Sequence, residues 1–183
     1  MRVQATRLPG LIAVEPAVHA DERGFFCETY RGQWHAELGL PAEQQFVQDN
    51  HSRSSRGVVR GMHFHVGEGV AKLVRCARGR ILDVAVDLRR GSPTYARWEA
   101  VELDDQSMRE LYLPVGFAHG FCVLSEVAEV EYKCTDFYDR ADEIGARWDS
   151  AGIEWPIEHP LLSPKDAALP TLAELRKSLA ASP

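Results

Sequence analysis

The chain is 183 residues long, 45% hydrophobic and 26% charged, a composition that suits one globular unit with its own core and leaves little room for a second. Its formal net charge of −6 at pH 7 lacks the basic excess of a nucleic-acid-binding surface, so local basic clusters point to a small anionic ligand instead. No apolar run approaches a bilayer span, and "MRVQATRLPG" has no apolar signal region, so the expectation is a cytoplasmic protein with neither a nucleic-acid nor a membrane partner.

Along the chain, the first helical signal is "RGQWHAELG" (31–39), which closes at Gly39. After it, short apolar runs broken by glycine, proline and acidic turns dominate, which is an all-β signature. In "VAKLVRC", Lys72 shares parity with Val70, Val74 and Cys76, and a lysine among apolar neighbours needs an anionic partner to offset its desolvation. "ILDVAVDL" (81–88) places Leu82, Val84, Val86 and Leu88 on one face and Asp83, Ala85 and Asp87 on the other, which predicts a half-buried strand. "GSPTYARWEAVEL" opens with a turn and continues as another strand. In "VAEVEYKCT" (127–135), Glu129, Glu131 and Lys133 share one parity, and Ala128, Val130, Tyr132 and Cys134 the other, so Tyr132 is expected to point inward. Near the end, Thr171 and Glu174 form a capping box ahead of "LRKSLAA", predicting a C-terminal helix over about 171–182. Cys27, Cys76, Cys122 and Cys134 show no C-x-x-C spacing and read as reduced cysteines, three of them in core strands. Many short strands with helical segments at the two ends predict a cupin-type β-barrel or jelly roll, one domain over residues 1–183.

Such a barrel gives inward side chains a common lumen. "RGMHFH" sets His63 and His65 two residues apart, on the same face of a strand. Gly57, His63 and His65 match the G-x5-H-x-H start of a metal-binding cupin motif, and Pro114, Gly116 and His119 match its later P-x-G-x-x-H. A metal-dependent oxygenase or isomerase would enlist His63, His65, His119 and Glu68. Glu68, in the glycine-flanked "VGEGV" loop, is out of place for that motif's acid.

The blocks "DERGFFCETY", "QDNHSRSSRGVVRGMHF", "AKLVRCARGRILDVAVDLRRGSPTYARW", "LYLPVGFAHGFCVLSE", "AEVEYKCTDFY" and "LLSPKDAALP" resemble, in order and over about residues 15–172, the dTDP-4-dehydrorhamnose 3,5-epimerase family. The resemblance implies a homodimeric cupin that needs no metal and no other cofactor. Its substrate would be the sugar nucleotide dTDP-4-dehydro-6-deoxy-D-glucose, and its place the biosynthesis of deoxysugars such as L-rhamnose. Carbons 3 and 5 of a 4-keto sugar are both C–H acids, so inversion needs a base on one face, an acid on the other and a stabiliser of the enolate oxygen.

Residue by residue, the resemblance makes His63 the base, oriented by Asp166, and Tyr132 the acid on the opposite face. Lys72 would stabilise the enolate oxygen, with His119 beside it. Arg23 and Arg60 would hold the diphosphate, which suits guanidinium geometry. Glu28, Gln48, Asp49 and Asn50 would address the thymine, the deoxyribose and nearby polar groups; Tyr138 would stack on the base; Glu143 and Lys165 would contact substrate. The chain departs from the family pattern at His65, where relatives often carry glutamine, and in the "VGEG" loop, about one residue short. That departure opens the alternative of a single-carbon 3- or 5-epimerase, whereas retention of Tyr132 favours inversion at both carbons. A cupin that only binds the sugar nucleotide is the third reading.

Overall fold

The computed structural model describes residues 1–41 and 44–181. Two antiparallel sheets face each other in a cupin-like jelly roll. The six-stranded sheet runs in the order β1 (Arg2–Ala5), β2 (Ile12–Glu15), β10 (Glu110–Leu113), β7 (Lys72–Arg78), β12 (Val127–Cys134) and β5 (Gln48–Ser55). The five-stranded sheet runs β13 (Glu143–Gly145), β6 (Val59–His65), β11 (Phe117–Val123), β8 (Arg80–Asp87) and β9 (Trp98–Asp104). A separate hairpin, β3 (Val18–Asp21) with β4 (Gly24–Cys27), stands apart with Phe25 and Phe26 exposed.

Alternation along each strand builds the core. Val74 of β7, Leu111 of β10 and Val130 of β12 meet Ile81 of β8, Leu103 of β9 and Phe121 of β11 between the sheets. Each such side chain contributes roughly 1.5–3 kcal/mol on leaving water. The outer faces are covered by the two ends of the chain. Trp34, Leu38 and Leu40, in and beside the one-turn helix α1 (His35–Leu38), lie on Val14, Leu73 and Tyr112 of the six-stranded sheet. Leu172 and Leu175 of α3 (Leu172–Ala181), with Ile153, lie on Phe64, Val84 and Val86 of the other.

Both terminal helices stop and start as their sequences predict. Gly39 closes α1 in the left-handed region at φ 71°. At α3, the Thr171 amide donates to Glu174 Oε2 at 2.8 Å and the Glu174 amide donates to Thr171 Oγ1 at 3.3 Å, the predicted capping box. The helix is described to Ala181, and Ser182 of the expected 171–182 span lies outside the described residues. Cys76, Cys122 and Cys134 are buried and unbridged, as expected of core cysteines.

One expectation needs correcting. The strand read as half-buried, residues 81–88, is buried on both sides, and Asp83 and Asp87 are each 0% exposed. Its aliphatic face (Val84, Val86, Leu88) packs outward under α3, while Ile81 and Ala85 face the core between the sheets. Strand parity separates two faces; it does not say what covers each.

Where β6 crosses β11, two glycines let the backbones nearly touch. A Cβ on Gly61 would lie 2.6 Å from Gly120 Cα, and one on Gly120 would lie 2.7 Å from Arg60 O. That pairing sets His63 opposite His119. The Gly120→Ala substitution is expected to destabilise the protein by on the order of 2 kcal/mol through overpacking. Thermal melting checks this, and an unchanged midpoint would show that the crossing has slack.

Candidate functional site

The site is built on β6. Phe64 packs outward against Val84 and α3, so alternation turns His63 and His65 toward the interior. The Val59 amide donates to Leu161 O at 3.1 Å and the Leu161 amide to Gly57 O at 2.9 Å, which brings the chain from 161 onward alongside β6. There Ser163 caps the four-residue helix α2 (Pro164–Ala167), its Oγ accepting from the Asp166 amide at 3.0 Å, with Pro164 in the first turn. Asp166 is thereby placed with Oδ1 2.7 Å from His63 Nε2 and is only 4% exposed. Burial works to raise its carboxyl, but the hydrogen bond and charge of His63, the Gly61 amide and Ser163 together outweigh it and hold Asp166 below the usual carboxylate range. His63 Nδ1 lies 3.7 Å from Glu143 Oε1.

A second histidine–aspartate pair stands beside the first. His119 on β11 has Nε2 3.0 Å from both oxygens of Asp83, whose carboxylate is fully enclosed. Across the lumen, Lys72 on β7 is 8% exposed, and no carboxylate among the described residues lies within ion-pair distance of it. Burial lowers its pKa; Cys134, Glu143 and Asp83 oppose that less strongly. Its ammonium sits 5.9 Å from the centre of the Tyr132 ring. The Tyr132 hydroxyl is pushed up by burial and further by Cys134 and Glu143, so it keeps its proton at neutral pH. Tyr132 packs against the core from the inner face of β12, as its parity predicts.

Two cavities gather most of the predicted residues. One, of about 400 Å³, is lined by Arg60, His63, Lys165 and Asp166. The other, narrower at about 90 Å³, is lined by Gln48, Asn50, His65, Lys72, Tyr132, Tyr138 and Glu143, with Cys134 and Phe137. Glu143 bridges them: it contacts His63, forms an ion pair with Lys165 and accepts a hydrogen bond from the Tyr138 hydroxyl at 3.4 Å. Burial works to raise its carboxyl, and Lys165, His63 and His65 together outweigh that, so Glu143 is held low.

Four predicted residues line neither cavity: His119, which is 8% exposed and held by Asp83, and Asp49, Arg23 and Glu28. Asp49 has the opposite parity to Gln48 and Asn50 and pairs with Lys133 at 2.8 Å on the outer face. Arg23 sits on the β3–β4 turn paired with Asp21 at 2.5 Å, and Glu28 pairs with Arg31 at 2.5 Å. Asp83 and Ser163 are the residues that sequence reasoning missed. Asp83 showed only as an acid on one strand face, whereas "SPKD" did carry a capping signal. Of the residues a metal site would enlist, Glu68 is exposed on its turn, away from the histidines. Among the described residues, no three His, Cys, Asp or Glu side chains are grouped to hold a metal ion.

Residues 5–174 match the family model described as dTDP-4-dehydrorhamnose 3,5-epimerase. A protein of that name from Neisseria gonorrhoeae is 48% identical over 181 residues; the alignment covers 97% of this chain, and the chain spans 55% of that relative's length. The dTDP-4-dehydrorhamnose 3-epimerase of Streptomyces niveus is 44% identical, with 96% of this chain and 86% of the relative covered. A solved structure of a Legionella pneumophila dTDP-6-deoxy-D-glucose-3,5-epimerase in complex with dTDP-4-keto-L-rhamnose superposes with a TM-score of 0.92 at 41% identity. That superposition covers 97% of this chain and 96% of the other.

His65 supplies a pH test of this geometry. Burial, and then the charge of Lys72, push its imidazole from 6.5 down to about 4. The unfolded chain therefore takes up a proton between those values that the folded protein refuses, so this contribution is intact above about pH 6.5 and is lost as pH falls toward 4. Melting midpoints at pH 7 and pH 5 are expected to fall less for His65→Gln than for the unsubstituted protein. Equal falls would show that the ring is not held neutral by its surroundings.

Proposed function

The chain belongs to the dTDP-4-dehydrorhamnose 3,5-epimerase family, and from that premise we propose that it inverts carbons 3 and 5 of dTDP-4-dehydro-6-deoxy-D-glucose. The observation that carries the reading is the 2.7 Å bond between His63 and buried Asp166, set against Lys72 and Tyr132 on the opposing sheet. Asp166 accepts a hydrogen bond from Nε2–H of His63, which leaves Nδ1 as the basic nitrogen. Nδ1 removes the proton from the carbon beside the keto group. The C–H electron pair becomes the enolate double bond, and the charge moves to the keto oxygen.

Lys72, desolvated and without a carboxylate partner among the described residues, is suited to receive that charge; His119, oriented by Asp83, stands beside it. Tyr132 delivers a proton to the other face of the same carbon, and solvent then restores Tyr132 and removes the proton from His63. Arg60 and Lys165 offer cations to the diphosphate, and Gln48, Asn50 and Tyr138 offer amide and aromatic groups to the nucleoside. Arg23, Glu28 and Asp49 lie off both cavities and keep their nucleotide roles only if a second copy is engaged. We read the protein as a cytoplasmic homodimer, a single functional unit over residues 1–183, in which the hairpin bearing Arg23, Phe25 and Phe26 packs against the partner. No helix among the described residues is long and apolar enough to cross a membrane. The 44% identity to a 3-epimerase favours one second reading, inversion at carbon 3 alone.

NMR of the 4-keto sugar nucleotide in deuterated buffer tests both readings. Solvent deuterium is expected at carbons 3 and 5, undiminished by EDTA; label at carbon 3 alone selects the second reading, and loss of exchange on chelation sinks the metal-free mechanism. His63→Ala is expected to slow exchange by about 10²–10⁴-fold. Tyr132→Phe is expected to retain proton removal better than completed inversion, and product stereochemistry identical to that of the unsubstituted enzyme would refute its role as the acid.

A further inference from the structure

Three histidines face the lumen, and two of them are tied to buried aspartates. The third, His65, has no hydrogen-bond or ion-pair partner among the described residues. It lines the narrower cavity with Lys72, Tyr132, Gln48, Asn50 and Glu143. Its backbone is fixed by pairing with Glu143 of β13, so the ring has a firm base and an open tip. We propose that His65 hydrogen-bonds a hydroxyl of the bound sugar ring and thereby sets how inversion is divided between the two carbons flanking the keto group. The proposal rests on the epimerase reading and goes beyond it in naming what distinguishes carbon 3 from carbon 5.

The chemistry of the ring selects a hydroxyl. A neutral imidazole offers one donor and one acceptor, which is what a hydroxyl offers in return. The adjacent Lys72 ammonium, together with burial, keeps the ring from gaining charge, so His65 is a poor partner for an oxyanion or a diphosphate. Those ligands already have Lys72 and Arg60. In a 4-keto-6-deoxyhexose the two sides of the keto group differ: carbon 3 bears a hydroxyl, whereas carbon 5 bears a methyl and the ring oxygen. The ring hydroxyls, on carbons 2 and 3, both lie on the carbon 3 side, and the one His65 holds in this proposal is that of carbon 3. Inversion at carbon 3 swings that hydroxyl to the other face and changes the bond, whereas inversion at carbon 5 does not. His65 is in this sense a specificity-determining residue, separate from the base and the acid.

Initial rates of deuterium entry at carbons 3 and 5, measured by NMR for the unsubstituted enzyme, His65→Ala and His65→Gln, decide the matter. In His65→Ala, KM is expected to rise about 3- to 10-fold, the size of one hydrogen bond between neutral groups, and the ratio of the two exchange rates to shift by at least about 3-fold. The glutamine variant, which keeps a donor and an acceptor, is expected to recover most of both effects. A uniform fall in the two rates with an unchanged ratio would mark His65 as merely structural and overturn the proposal, as would an unchanged KM and ratio. If the unsubstituted enzyme exchanges one carbon only, His65→Ala must release exchange at the silent one; continued silence overturns the proposal while leaving the epimerase reading in place. Absence of exchange at both carbons in the unsubstituted enzyme overturns the reading itself and this proposal with it. His65→Asn, too short to reach, replaces the alanine variant if that does not fold.

Discussion

A carboxylate enclosed by a protein needs a donor to meet it, and at the candidate site Asp83 and Asp166 are enclosed in this way. Each is met by one histidine, and nearly every other feature of the site follows from those two bonds. Asp83 is fixed by β8 and holds His119 across the β8–β11 ladder. Asp166 comes from a segment 103 residues beyond His63 and is held by its own helix cap. With His63 and His119 so anchored, the five-stranded sheet presents two held imidazoles beside the apolar core of Ile81, Leu103 and Phe121. The opposing sheet contributes the desolvated Lys72 and the protonated Tyr132. The proposed acid and base therefore sit on different sheets, an arrangement that suits proton removal on one face of a ring and delivery to the other.

The same sandwich explains the parts of the fold that look peripheral. A jelly roll has two inner faces and two outer ones, and 183 residues provide no second layer of sheet to cover the outside. The chain ends do it instead, Trp34 and Leu38 on one side, Leu172 and Leu175 on the other. The short helices are thus covers for apolar strand faces. Their local signals, a left-handed glycine and a capping box, fix where each cover begins or ends.

What could be read from the sequence divides along physical lines. Parity on one strand is local, so Tyr132 and Lys72 were correctly placed inward from their own neighbours. Coverage is not local, so the double burial of residues 81–88 was missed, and with it the buried position of Asp83. Gln48 and Asn50 face the narrow cavity while Asp49 between them cannot, a consequence of alternation that a block-by-block resemblance passes over. Arg23 and Glu28 match the family's pattern in sequence yet ride a hairpin that leaves the body of their own chain, and no strand-level signal reports that. The His63–Asp166 pairing was accessible only through resemblance, because nothing in either residue's surroundings names the other.

Asp166 follows, in chain order, every strand of both sheets. The strands that carry His63, Lys72, His119 and Tyr132 all precede it, so both sheets are complete in sequence before the partner of His63 appears. Without the segment that carries Asp166, the lumen has its imidazole but not the carboxylate that orients it. One stretch of chain thus both covers the outer face of the five-stranded sheet, through Leu172 and Leu175, and supplies the carboxylate that aligns His63, so cover and alignment are gained or lost together.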